Sequence, residues 1–294
     1  MNYQIGIDLG GTKTEVIVIH KEEIKLRERI PTRKESYDSI LETIEEVLNI
    51  AKKEIPSNAK ITIGMGIPGI LDPITEKVIN ANTTILIGRN LKKDLEEKIQ
   101  HEVHIENDAN CFALAEAKMG AARDYQTVFG IIMGTGCGGG LILDKKIYKG
   151  RHGIAGEWGH FSIDPKGFKC WCGNHGCIEL YLSGSGIENQ YYQITKTKAK
   201  VPEILNLVHK GDSIAKEIFE QFLENFGKAV GGLISILDPD AIVLGGGLSN
   251  IEELYTVGYE KVKKYAFHHN ITTPLLKNQL GDSSGVIGAA WLGI

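Results

Sequence analysis

Three cysteines fall within eight residues, at Cys170, Cys172 and Cys177, and His160 lies ten residues before the first of them. Thiolate sulfur and imidazole nitrogen are the donors that tetrahedral zinc prefers, and four of them leave no coordination position open. Such a site would order a loop without doing chemistry itself. It would also fix the two carboxylates beside it, Glu157 and Glu179. A disulfide with a spare thiol is the competing reading. The odd total of five cysteines, and a strand-like segment immediately after Met1 where a secretory signal would lie, favour a reducing cytosol and a metal.

Five further constellations could carry chemistry. In Asp8-Leu9-Gly10-Gly11-Thr12-Lys13, glycines at a strand turn let backbone N–H groups approach phosphate oxygens, and the aspartate could hold magnesium, usually through water. A plain Gly-Gly hairpin is the alternative. Gly134-Thr135-Gly136 is a matching turn, able to clamp a polyphosphate from the other side. Gly245-Gly246-Gly247 follows an apolar strand and would let a flat adenine lie against backbone; a strand-to-helix corner explains it equally well. Asn107-Asp108 opens a helix, so Asp108 reads as an N-cap and also as a general base that takes a hydroxyl proton as the oxygen attacks a γ-phosphorus; the two are compatible, since a cap position fixes the carboxylate. The polar set Asn82, Asn107, Glu157, His160 and Glu179 suits the many hydroxyls of a sugar, although surface glutamates are usually just solvated. One ring nitrogen of His160 could bind the metal while the other meets a sugar hydroxyl.

The elements needed to position these residues are visible as patterns. Tyr3–Leu9, Glu15–Ile19 and Ile24–Ile30 predict an antiparallel meander. Residues 36–55 are apolar at helical spacing behind a Ser36 N-cap. Ile61–Met65 and Val103–Ile105 predict strands, the second running into a helix from Asn107 to Met119. The strand–glycine-turn–strand pattern returns at Thr127–Met133, Gly134–Gly140 and Leu141–Leu143. Two related α/β lobes with a cleft between them follow from that repetition. A long amphipathic helix is expected over 212–237, a buried strand at Ala241–Leu244, and a last helix at Gly285–Leu292 packing back on the first lobe. The expected division is 1–119 with about 283–294, against 120–282 carrying the zinc loop. Net charge is −4 with no basic block, and no apolar run is long enough to cross a bilayer, so neither nucleic acid nor membrane is an expected partner.

Together these motifs resemble the ROK family of sugar kinases and repressors. The resemblance is carried by Asp8–Thr14, Gly66-Ile67-Pro68-Gly69, Asn107-Asp108-Ala109-Asn110, Gly134–Gly140, Gly156–His160, the Cys170–Glu179 run, and Asp238-Pro239-Asp240 leading to Gly245–Gly247. It implies an α/β, two-lobed ribonuclease H-like (actin- and hexokinase-type) fold with a structural zinc loop. It implies ATP with Mg2+ in the cleft, zinc on His160, Cys170, Cys172 and Cys177, and Asp108 as the base. Asn82, Asn107, Glu157, His160 and Glu179 would hold a hexose. It further implies a cytoplasmic enzyme, with homodimers common in the family. Within the family the chain is most similar to the bacterial fructokinases of the manno(fructo)kinase type, with fructose phosphorylated at its 6-hydroxyl. N-acetylglucosamine kinases and glucokinases are the alternatives. A sugar-sensing repressor is a remote one, since Tyr3 already begins the first strand. An actin-like ATPase without an acceptor would leave the zinc cluster and its polar neighbours unexplained.

Overall fold

The computed structural model describes residues 1–294. The chain folds into two compact units. The first comprises Met1–Gly120, Gly140–Ala155 and Leu280–Ile294; the second comprises Ala121–Gly139 and Gly156–Gln279. Gly140–Ala155 thus goes with the first unit, where the sequence division places it in the second.

The first unit is built on a five-stranded sheet of order β3-β2-β1-β4-β7. Strands β1 (Asn2–Leu9), β2 (Lys13–His20) and β3 (Glu23–Pro31) form the antiparallel meander that the alternating pattern predicts. Helix α1 (Tyr37–Lys52) follows, with Ser36 as its N-cap in a reciprocal capping box with Ser39. Then β4 (Lys60–Ile67) pairs parallel with β1. A small ribbon, β5 (Ile70–Leu71) with β6 (Val78–Ile79), and helix α2 (Leu91–Ile99) lead to β7 (His104–Asn107), parallel to β4. Helix α3 (Asp108–Lys118) leaves directly from the end of β7.

Period-two alternation sends the residues of β2 to two different cores. Val16 and Val18 join Ile5, Ile7 and helices α1 and α2 on one face, while Ile17 and Ile19 meet Ala115 of α3 and Val286, Ile287 and Ala290 on the other. The latter three belong to the last helix, α9 (Ser284–Ala290), which packs against α3, β1 and β4. Backbone contact makes this seat possible: a Cβ on Gly64 in β4 would lie 1.9 Å from the Ala289 carbonyl oxygen. Buried Glu116 adds a polar tie, accepting from the Leu280 N–H at 3.0 Å and the Ser284 hydroxyl at 3.1 Å.

The second sheet has the order β10-β9-β8-β11-β12 and repeats the plan of the first. It comprises β8 (Thr127–Met133), β9 (Cys137–Leu143), β10 (Lys146–Ile147), β11 (Ala241–Gly245) and β12 (Leu275–Lys277). The glycine run is shorter as a turn than the sequence suggests. Only Gly134–Gly136 is turn, and Gly138–Gly140 lie inside β9. Strand β9 leaves the second unit between Gly139 and Gly140. The short helix α4 (Glu179–Leu182), then α5 (Gly184–Thr195), α6 (Val201–Lys210), the long α7 (Ser213–Leu237) and α8 (Val257–Tyr265) complete the second unit. Asp240 accepts from the Gln126 and Thr127 N–H groups, tying the entry of β11 to that of β8.

Gly64→Ala should cost about 3 kcal/mol, as overpacking against fixed backbone does. A fall in the urea midpoint at unchanged m-value is the expected result. An unshifted midpoint would mean that α9 does not hold this seat.

Candidate active site and metal centre

The first unit brings Asp8, the Gly10–Lys13 turn, Asn82, Asn107 and Asp108 to the C-terminal ends of β1, β4 and β7. Gly10 N–H donates to Lys13 O at 3.0 Å, closing the β1–β2 hairpin and leaving Gly11, Thr12 and Lys13 exposed at its tip. Segment Gly66–Gly69 links the two asparagines. Asn82 N–H donates to Pro68 O at 3.0 Å, and Asn107 Nδ2 donates to Gly69 O at 3.2 Å.

The helix cap falls on Asn107. Its Oδ1 accepts from Ala109 N at 2.9 Å and Asn110 N at 3.3 Å. Asp108 is therefore the first residue of α3 and not its cap, which corrects the capping part of the sequence reading. Its Oδ1 takes one hydrogen bond from Ala109 N at 2.8 Å. Burial pushes the Asp108 carboxyl up to about 6, opposed by that N–H and its own. Asp8 is pushed further, to about 7, by burial first and then by the charges of Asp108 and Glu15. A buried carboxylate whose proton affinity is raised further by a second one beside it marks a site that a cation would relieve. Behind them, buried Glu106 accepts from Asn107 N at 2.9 Å and Asn110 Nδ2 at 3.1 Å, with Lys149 Nζ 2.7 Å from its other oxygen. Spacing alone gives no hint of this support, since Glu106 precedes the motif as an ordinary strand residue.

The second unit holds the candidate metal ligands. The donor atoms of His160, Cys170, Cys172 and Cys177 all lie within 4.8 Å of one another. Cys170 Sγ is 3.7 Å from His160 Nδ1, and Cys172 Sγ is 3.6 Å from Cys177 Sγ. Tetrahedral donors at zinc bond lengths stand about 3.4–3.8 Å apart, so these residues fit a zinc ion. None of the three cysteines is in a disulfide. Cys177 is pushed up to about 12 by burial and then by its two cysteine neighbours, a crowding that a divalent cation would reverse. The loop closes through Cys170 N–H to Asn174 O at 2.7 Å and bridges of Ser162 with Cys177 and Lys169 with His175. Gly176 has φ of +64°, and a Cβ there would lie 1.7 Å from Asp164 O, so no other residue fits.

The polar residues of this unit gather around that loop. Trp158 anchors the Glu157–His160 turn, its Nε1 donating to Gly138 O at 2.9 Å and its ring meeting Phe129 edge-on. With Nδ1 turned to the sulfurs, Nε2 of His160 is the nitrogen left for another partner. Glu179 is held at both oxygens: Cys137 N–H donates to Oε2 at 3.1 Å and Trp171 Nε1 to Oε1 at 2.9 Å.

A cavity of about 890 Å3 lies wholly within the second unit, lined by Gly134, Thr135 and Gly247 among others. It is large enough for a nucleoside. Gly134 N–H donates to Gly136 O at 3.0 Å in a tight turn, and Gly184 at the start of α5 donates to Gly134 O at 2.7 Å. Gly245 is the last residue of β11. Gly246 takes φ of +77°, and a Cβ there would lie 2.4 Å from Met133 O; Gly247 alone of the three lines the cavity. Sequence reasoning missed Gly184, Ser185, Val201 and Pro202 in this wall. The Ser183-Gly184-Ser185-Gly186 run opening a helix was the available signal.

The ROK family model matches residues 4–294. The chain belongs to the ROK family. It is 37% identical over 299 residues to an N-acetyl-D-glucosamine kinase of Haemophilus influenzae (strain 86-028NP), covering 98% of both chains. It is 38% identical to a protein of the same name from Vibrio atlanticus (strain LGP32), covering 98% of this chain and 99% of the relative. The ROK hexokinase of Thermus thermophilus superposes with a TM-score of 0.89 at 30% identity, over 98% of this chain and 96% of that one. A ROK glucokinase from Streptomyces griseus, solved with glucose and AMPPNP, gives 0.80 at 28% identity, over 98% of each. The expectation of a fructokinase-type member gains no support, because the relatives at 37–38% identity are named N-acetyl-D-glucosamine kinase. No helix is long and apolar enough to cross a membrane.

Two pH predictions follow from the carboxylates. For Asp108 in the proposed role of base, which must be deprotonated, kcat/KM should fall as pH drops through about 6 and level off above it; a profile flat from pH 5 to 8 would contradict that role in this environment. A raised carboxyl stabilises the fold only while protonated, so Asp8 contributes stability at low pH that is lost as pH rises through about 7. In magnesium-free buffer Asp8→Asn should therefore stabilise the protein at pH 8, by up to about 4 kcal/mol, and far less at pH 5. Thermal denaturation at the two pH values decides this.

Proposed function

We propose that this protein is an ATP-dependent kinase that phosphorylates the 6-hydroxyl of N-acetyl-D-glucosamine. The observation that carries the reading is the identity of 37–38% along 98% of the chain with proteins of that name. The site chemistry agrees with it. Asp108 is a carboxylate freed from capping, the second unit has a nucleoside-sized cavity beside a glycine turn, and His160 and Glu179 are held by one closed loop.

In this reading the hydroxyl oxygen attacks the γ-phosphorus and ADP leaves, while Asp108 accepts the hydroxyl proton. A proton affinity raised toward neutral pH improves Asp108 as an acceptor while keeping it ionised at pH 7–8. Asp8 is the candidate holder of magnesium, which supplies neutralisation of phosphate charge when bound. The Gly10–Lys13 and Gly134–Gly136 turns offer N–H groups to phosphate oxygens, and Gly247 is a surface for the base. Asn82, Asn107, Glu157, His160 and Glu179 are assigned to the sugar. Buried amide and carboxylate groups left unpaired by a sugar lacking the right substituent would discriminate against it. The assigned role of zinc on His160, Cys170, Cys172 and Cys177 is structural: it fixes the His160 ring and orders the loop that carries Glu179.

The testing experiment is a coupled ADP-release assay with ATP and magnesium across N-acetylglucosamine, N-acetylmannosamine, glucose, mannose and fructose. The expected result is a kcat/KM for N-acetylglucosamine at least tenfold above the rest. Preference for fructose would restore the fructokinase reading, and no turnover on any sugar would overturn the kinase reading. Stripping zinc with a chelator should raise KM for sugar more than for ATP; an equal rise would mean that the metal supports the whole fold.

A further inference from the structure

Trp171 stands between two of the metal-ligating cysteines, yet it is 65% exposed, while Cys170 and Cys177 on the same loop are buried. An indole has one polar group, the Nε1–H donor, and usually spends it on a partner when it matters to the structure. Here that donor goes to Glu179 Oε1 at 2.9 Å. The ring also packs edge-on against His160, with centroids 4.8 Å apart and planes at 87°. One side chain therefore touches two of the residues assigned to the sugar. With the Cys137 N–H on Oε2, it fixes the Glu179 carboxylate at both oxygens, and each oxygen keeps lone-pair capacity for a hydroxyl. The rest of the indole face is open, which suits the C–H groups of a pyranose better than it suits water.

We propose that Trp171 is a positioning residue of the sugar site: it aims Glu179, steadies His160 and presents an apolar face to the bound sugar. The inference rests on the sugar-kinase reading and deepens it. The closed metal set accounts for the position of the loop; it does not account for an exposed indole spending its N–H on Glu179. A hydrogen bond to a carboxylate is strong for its kind, and losing it lets the charged group turn toward water.

The test compares Trp171→Phe, which keeps one ring against His160 and loses the N–H together with the fused second ring, with Trp171→Ala, which loses the N–H and both rings. Steady-state kinetics with N-acetylglucosamine and ATP, zinc content, and tryptophan fluorescence during N-acetylglucosamine titration without ATP are measured on each. For Trp171→Phe we expect sugar KM to rise about tenfold, equivalent to about 1.4 kcal/mol, with ATP KM within about twofold and zinc retained. Trp171→Ala should show a larger rise. The wild-type fluorescence response to sugar should vanish in Trp171→Phe, although Trp158 and Trp291 remain. Unchanged sugar KM in both variants would overturn the proposal. So would a parallel rise in both KM values with loss of zinc, since that is a purely structural role. If no sugar is phosphorylated, the kinase reading falls on its own, and the fluorescence titration still decides on Trp171: a sugar response that its substitution abolishes supports it, and none in the wild type overturns it.

Discussion

The hydrogen bonds from the first turn of α3 to Asn107 Oδ1 are the constraint on which the candidate chemistry depends. A helix leaving a strand end must satisfy its first N–H groups, and one side chain has to do it. Because Asn107 does, Asp108 is the first residue of the helix and its carboxylate can serve as a proton acceptor. The surroundings then set its proton affinity. Burial raises both Asp108 and the neighbouring Asp8; N–H groups at the start of the helix moderate the rise of Asp108, and the Arg29 charge that of Asp8, without cancelling either. The packing that holds this junction reaches far along the chain, since α9 and the Glu116 ties secure α3 from the C-terminal segment.

The second unit reaches a comparable rigidity by other means. The loop around Cys170–Cys177 has little apolar material to bury, so it is held by backbone bridges, by a glycine that admits the Asp164 carbonyl, and by four donors at metal-binding separation. Glu179 opens α4 directly after that loop, and its two oxygens are tied to β9 and to Trp171. A carboxylate fixed in this way has little freedom left to lose when it meets a ligand, which is how preorganisation improves both affinity and discrimination.

Much of this fold is legible in the amino-acid sequence. The meander, the Ser36 cap, the β7–α3 junction and the grouping of four possible metal donors all follow from alternation, capping chemistry and donor type, which are local properties. What stays hidden depends on residues distant in sequence. Local chemistry cannot assign the cap between Asn107 and Asp108, because both are good caps. Gly138–Gly140 reads as turn, because glycine in a strand is uncommon; in the fold a Cβ on Gly139 or Gly140 would meet neighbouring atoms at 2.8 Å. Glu106 and Trp171 have no motif, and their roles arise only from the partners that folding provides. The preferred hexose is the least legible feature of all. Hydrogen-bonding types are shared among hexoses, and pocket shape is not written in them.

The most direct test of the central claim is Asp108→Asn, which preserves size and the contact with Ala109 but cannot accept a proton. Sugar-dependent ADP release should fall by about two orders of magnitude or more, while N-acetylglucosamine binding remains measurable. Turnover within a few-fold of the wild type would contradict the assignment of Asp108 as the base.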